Sequence, residues 1–251
     1  MFKHLIFAAI TALVSLQCSA TDGAEFGSRV AFPGFREVSI SEKGDDMYRA
    51  SVWLAPGLKY RRIAIAIEGV TEVPSVLRVT CSEDLRLEIG FDAGPSEDPA
   101  YFVTVRRGKQ SSKFHEISGS DLTINARCDL FAVSDTNLDY VHHDKFEIHG
   151  MELTRIPQPF YLIDTTCEAN GVVQLTSEPC GMGEPVAVLP DKSPVRILLA
   201  GQECGQVAAP GTGPKIAYLV ATPFGLVGWV ENEQGWVDAG KPLSCMRYLG
   251  D

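Results

Sequence analysis

The chain has 251 residues, with 32 acidic side chains against 22 Lys and Arg, for a formal net charge of −10. That excess of negative charge repels phosphate backbones and anionic lipid surfaces, so nucleic acid is excluded as an expected partner. The plain reading of the charge is solubility; the sharper one is an acidic patch that recognises a basic partner.

The chain opens as an export signal. Lys3 and His4 give a short basic start, residues 5–16 form a mostly apolar run, and Cys18-Ser19-Ala20 supplies small residues after it. This pattern predicts a signal peptide over residues 1–20, cleaved after Ala20, with Thr21 as the first mature residue. The apolar run of about 12 residues is shorter than the roughly 20 that span a bilayer. Gln17 is a poor neighbour for lipidation at Cys18. No later segment is long and apolar enough for stable membrane insertion, and the protein is expected in the periplasm or secreted. Of the seven cysteines, the signal takes Cys18 and leaves Cys81, Cys128, Cys167, Cys180, Cys204 and Cys245. An even count in an exported chain predicts disulfides. No C-x-x-C pair occurs, which argues against structural zinc.

Residues 21–156 read as an antiparallel β-sandwich. The hydrophobic period there is two: Ala50, Val52 and Leu54; Ile63, Ile65 and Ile67; Leu85, Leu87, Ile89 and Phe91; Tyr101, Val103 and Val105. The longest run is Leu122, Ile124, Ala126, Cys128 and Leu130, read as one strand. Turn clusters such as Ala55-Pro56-Gly57, Gly94-Pro95-Ser96 and Ser118-Gly119-Ser120 separate the strands. Many short strands at this spacing suggest a sandwich. Strand parity puts Cys81 with Leu77 and Val79, and Cys128 with Ile124 and Ala126, so a Cys81–Cys128 bridge between facing sheets is expected. No tryptophan lies between the two, unlike the immunoglobulin pattern. Trp53 falls on the wetter face of its strand.

Ile156-Pro157-Gln158-Pro159 marks a boundary, because two prolines in three residues disfavour helix and deny ladder hydrogen bonds. A linker over 157–165 and a second domain over 166–251 are expected. In that second part, Val172-Val173-Gln174-Leu175, Pro185-Val186-Ala187-Val188-Leu189, Val195-Arg196-Ile197-Leu198-Leu199 and Ile216-Ala217-Tyr218-Leu219-Val220 read as successive strands. They are followed by Gly228-Trp229-Val230 and Gly235-Trp236-Val237. This layout resembles the bacterial Src-homology-3-like domain, a small β-barrel used for binding. The resemblance covers under a third of the chain, and Tyr218 stands where the family often has a tryptophan. It implies a binding module, with Trp236, Tyr218 and Trp229 as a candidate ligand groove. Trp229 reads mostly as core, and Trp236 evenly as core or groove. Four cysteines allow three pairings. The favoured set is Cys167–Cys245, clasping the barrel ends, and Cys180–Cys204, joining a long loop to the end of the third strand as the family layout implies. The sequential set, Cys167–Cys180 and Cys204–Cys245, is the runner-up.

Chemical signatures are sparse. His142-His143-Asp144 with His149 is the best constellation for a metal, but adjacent strand residues point to opposite faces, and a polar loop before a strand over 146–153 is the simpler reading. No Gly-x-Ser-x-Gly elbow occurs, and Gly211-Thr212-Gly213-Pro214 lacks the Lys and helix of a phosphate loop. No catalytic residue, metal or cofactor is therefore expected. The expectation is an all-β, exported, non-catalytic binding or adaptor protein, its ligand a protein or a cell-wall glycan or peptide. The alternatives are a periplasmic inhibitor or immunity protein, and a hydrolase with an unrecognised site.

Overall fold

The structure is a computed structural model that describes residues 29–41, 49–64, 75–93, 98–134, 139–205, 213–234 and 241–247. The signal segment with Thr21, the Ile65 and Ile67 positions, and Gly235-Trp236-Val237 lie outside the described residues. Within them every regular element is a strand. The first two are β1 Arg36–Ser41 and β2 Arg49–Leu54. Five follow as a meander: β3 Lys59–Ala64, β4 Ser75–Thr80, β5 Leu85–Asp92, β6 Ala100–Arg107 and β7 Gln110–Ser118. Next come β8 Asp121–Ile124, β9 Leu130–Ser134, β10 His142–His149 and β11 Glu152–Ile156. The last six are β12 Tyr161–Glu168, β13 Val173–Thr176, β14 Pro185–Leu189, β15 Pro194–Cys204, β16 Lys215–Ala221 and β17 Val227–Glu233.

Two sheets make the N-terminal sandwich. One has the order β1-β2-β8-β9-β10-β11 and the other is the β3–β7 meander. All pairs are antiparallel except β2 with β8, which run parallel with Ser51 opposite Asp121. Val52, Leu54, Leu122, Ile124 and Leu130 from the first sheet pack with Val79, Leu87, Ile89, Val103 and Val105 from the second in one buried core. Each fully buried Val, Leu or Ile contributes about 1.5–3 kcal/mol of transfer free energy. Tyr101 is also fully buried, and its hydroxyl lies 2.9 Å from the carbonyl oxygens of both Ser51 and Ser120, so the sheets are joined by a polar pin as well. Burial pushes the phenol's pKa up.

Two expected strands are each broken in two. The run over 122–130 contains a turn, not a single strand. The Asn125 side-chain oxygen accepts the backbone N–H groups of Arg127 and Asp129, and the Cys128 N–H donates to the Asn125 carbonyl. Cys128 takes a left-handed backbone, φ 63°. An Asn that bonds its own backbone two residues on competes directly with the strand ladder, and here it wins. Cys128 bonds Cys81 from this turn, linking the end of β4 to the opposite sheet. Likewise the 146–153 segment turns at Gly150, φ 66°, to form the β10–β11 hairpin, and the supposed loop at His142-His143-Asp144 is the start of β10.

The C-terminal sheet has the order β12-β15-β16-β17-β13-β14. It wraps a second core of Leu175, Val195, Ile197, Ala200, Tyr218, Val220 and Leu243. Among the described residues this sheet is open, with β12 and β14 at its edges, and the expected small barrel does not close. Residues 161–165, read as linker, belong to β12, which takes the free side of β15 and extends the sheet. β13 meets β17 through the single pair Thr176 and Trp229. Two disulfides tie the sheet, Cys167–Cys245 and Cys180–Cys204. Three disulfides fit an oxidising, extracellular compartment. No helix among the described residues is long and apolar enough to cross a membrane.

The segment leading into β10 is anchored in the second core. Tyr140 packs in the second core. Asp139 is buried beside Lys241, with Oδ1 3.4 Å from Nζ, and it also accepts from Asn232 at 3.2 Å. Lys241 donates further to the Met246 carbonyl at 3.3 Å.

Candidate functional site: an aromatic face on the C-terminal sheet

Alternation along β16 and β17 decides which side chains a ligand can reach. Tyr218 pairs with Val230 and Ala200, all three facing the core, and Tyr218 is fully buried, edge-on to Tyr140 at 6.1 Å. Burial, then Asp139 and Tyr140, push its pKa up. Trp229 is one residue out of phase and faces the other way. The two residues expected to share a groove are thus on opposite faces of one sheet, and Tyr218 is core. Trp229, expected mostly in the core, is half-buried on the outer face. Trp236 lies outside the described residues.

The outer face around Trp229 is apolar where a solvated sheet face ordinarily carries polar residues. One register row runs Leu162, Leu199, Leu219, Trp229 and Thr176 across five strands. Leu162 is 48% exposed. Phe160, just before β12, lies 6.1 Å from the indole, its ring tilted 32°. The indole rests on Gly201, where an added Cβ would come within 3.0 Å of Trp229 Cζ3. Absence of a side chain on β15 therefore lets the ring lie flat. At one end, the β16–β17 turn projects Phe224, 94% exposed, between Leu226 and the Thr222 N-terminal side of the turn. This turn is tightly held: Thr222 N–H donates to the Leu226 carbonyl at 2.8 Å, and Gly225, φ 82°, donates back to Thr222 at 2.9 Å. At the rim, Arg196 pairs with Asp164 at 2.5 Å and Lys215 with Glu231 at 3.5 Å. The Cys180–Cys204 bridge holds the β13–β14 loop against this edge, with Gly181 facing Glu231.

The histidines do not assemble. His142 stacks on Tyr161, centroids 3.6 Å apart, with Nδ1 3.1 Å from Asp144. Arg155 donates to Asp144 at 2.9 Å and to the Tyr161 hydroxyl at 2.8 Å. Burial alone would raise the Asp144 carboxyl, but His142 and Arg155 together hold it below its ordinary value. The cluster is a satisfied clasp between β10, β11 and β12. His143 points the opposite way, into a largely apolar cavity of about 300 Å³ on the outer face of the first sheet, lined also by Phe131, Val133 and Ile156. Burial and His142 push the His143 pKa down, favouring the neutral ring. His149 sits at the far end of β10 near Glu147. No group of three or more His, Cys, Asp or Glu among the described residues is arranged to hold a metal. Trp53 is half-buried and donates to Asp121 at 3.3 Å. Comparison of the chain with protein-family models, with curated proteins and with solved structures finds no match.

Proposed function

We propose that the protein is an exported, non-catalytic binding or adaptor module that engages a protein or cell-wall ligand through the aromatic face of its C-terminal sheet. The observation that carries this reading is the outward row of Leu162, Leu199, Leu219 and Trp229, with Phe160 beside it; the exposed Phe224 stands in the turn that follows β16. Contiguous exposed apolar surface on a soluble protein marks an interaction site more often than chance, and aromatic anchors dominate binding energy where they are buried by a partner. Seating on Gly201 pre-orders the indole, so little side-chain entropy remains to be lost on binding. The strand pattern resembling a Src-homology-3-like domain and the three disulfides support the same reading.

The test uses the mature protein as bait against periplasmic extract and, separately, in co-sedimentation with purified cell wall. Wild type is expected to retain a stoichiometric partner or to pellet. Trp229→Ala together with Phe224→Ser is expected to abolish retention while the melting transition persists. Undiminished binding by that variant would remove this face from the function. A captured enzyme whose turnover falls on binding would favour the inhibitor reading instead.

A further inference from the structure

The net charge of −10 conceals a segregated surface. On the outer face of the β3–β7 meander, register places side chains in two adjacent rows. One row runs Lys59, Thr80, Arg86, Arg106 and Ser111; the next runs Arg61, Arg78, Glu88, Thr104 and Phe114. Five cations and one carboxylate thus share a surface five strands wide, or about 20 Å across. Arg61 stands directly opposite Arg78, and Arg86 directly opposite Arg106. Like charges facing each other across a strand pair are destabilising, and departures of this kind from local rules concentrate at functional surfaces.

The single carboxylate does not cancel the patch. Glu88 is only 4% exposed at its side chain and is gripped by Arg78, through Nε at 2.9 Å and its terminal nitrogen, and by Arg106 at 2.5 Å. It fixes two guanidiniums in place and is itself withdrawn from solvent. Lys59, Arg61 and Arg86 remain exposed. The nearby acids lie at the margins: Glu83 and Asp84 share the β4–β5 turn, where Asp84 is paired with Arg107 at 3.0 Å, Glu116 lies one row further on, and Asp92 one row beyond that. Beside the cations stands Phe114, 66% exposed, edge-on to Phe102 at 5.6 Å.

We propose that this face docks the protein on an anionic phospholipid surface, with the two cationic rows against the phosphates and Phe114 entering the headgroup region. Charge complementarity selects an anionic partner, and the exposed phenylalanine within a basic field selects a bilayer over a soluble polyanion. The overall negative charge does not oppose this. The Debye length is about 8 Å at physiological salt, whereas the opposite sheet of the sandwich lies about 10 Å behind, so its carboxylates are screened from the membrane. Binding here is peripheral and uses a different face from the aromatic row on the C-terminal sheet.

The test is co-sedimentation of the mature protein with phosphatidylcholine vesicles holding about 30% phosphatidylglycerol, against pure phosphatidylcholine, at low salt and at about 1 M salt. Binding is expected on the anionic vesicles only and is expected to disappear at high salt. Arg61→Gln and Arg86→Gln are each expected to lower the partition about five-fold, with unchanged or raised melting temperature because each relieves a like-charge pair. Lys59→Glu, exposed on the edge strand, is an independent reading and is expected to lower it further than either. Phe114→Ser is expected to weaken vesicle binding and leave binding to soluble dextran sulfate unchanged. Absence of binding to anionic vesicles, equal binding by the charge variants, or binding to dextran sulfate alone would each overturn the proposal.

Discussion

The N-terminal and C-terminal regions solve the same burial problem with different means. In the first, two sheets face each other, so each inner face is covered by the other and one core holds both. Among the described residues one disulfide crosses it, Cys81–Cys128. The second region has a single open sheet that wraps its own core, and its outer face around Trp229 is apolar and only half-buried. It carries two disulfides in its smaller span. A small unit with limited apolar burial is commonly stapled covalently. The difference teaches that the region short of burial is also the region whose outer sheet face stays apolar.

The largest expected effect tests whether the two regions are separate at all. Lys241→Met would leave Asp139 buried without its cation, and breaking such a pair costs about 3–5 kcal/mol. A single cooperative melt shifted downward in calorimetry would show that this anchor couples both cores. Two separated transitions would show that the regions melt independently.

Next, Cys167→Ser with Cys245→Ser should destabilise by about 2–5 kcal/mol, read from urea midpoints. The comparison sharpens if the C-terminal core signal melts first in that variant while a sandwich reporter, such as Trp53 fluorescence in a background without the other tryptophans, keeps its midpoint.

Acid should act on the other region first. His143 is held below its ordinary value of 6.5 by burial and by His142, so the fold binds fewer protons than the unfolded chain there. Stability is then full above about pH 6.5 and declines as pH falls below it. Glu88 and Asp144 are also held below their ordinary values of 4.5 and 3.8. In each, burial opposes the shift, but Arg106 and Arg78 overcome it at Glu88, and His142 and Arg155 at Asp144. Their contribution is complete above those values and is lost as pH drops through the lowered ones. All three groups sit on the sandwich strands, so a melting profile from pH 8 to 3 should show the sandwich weakening in two stages, and His143→Gln should remove the upper one.

The smallest effect is expected at Phe224→Ser, within about 0.5 kcal/mol because the ring is solvated. A larger loss in thermal stability would mean that the turn's phenylalanine packs in solution and is not available to a partner.

Much of the fold was legible because period-two patterning is a local property. The strands around Leu87 and Val103 fall where alternation put them, and those around Val188, Ile197 and Val220 where the resembling strand layout put them. What escaped was decided by competing or distant interactions. Alternation continued through Ala126 and Cys128, yet the Asn125 side chain turned the backbone there, so Cys81 and Cys128 meet from a turn and not from strand parity. Tyr161 to Thr165 carried no strand signal strong enough to outweigh the adjacent prolines, and only the free edge of β15 recruits them. At the candidate site the missing step was available: Tyr218 and Trp229 are partners of Val230 and Leu219 respectively, so pairing parity separates them once the hairpin register is known. The basic rows were hidden for another reason, since a net charge sums over the chain while register brings Lys59, Arg61, Arg78, Arg86 and Arg106 from four strands to one face.

The parallel pairing of β2 with β8 sets an order of assembly. Ser51 meets Asp121 only after the chain has passed through the whole β3–β7 meander, so this contact closes a loop of about seventy residues. The meander needs only neighbouring hairpins, each a short loop closure. Contacts of high sequence separation come at a larger entropic cost and slow folding. The meander therefore serves as the platform on which β8 reaches β2, and until it does, the inner edge of β2 stands open. For a chain that emerges from its start, that interval ends only when residue 124 is free to fold, which makes the β8 segment the latch of the N-terminal half.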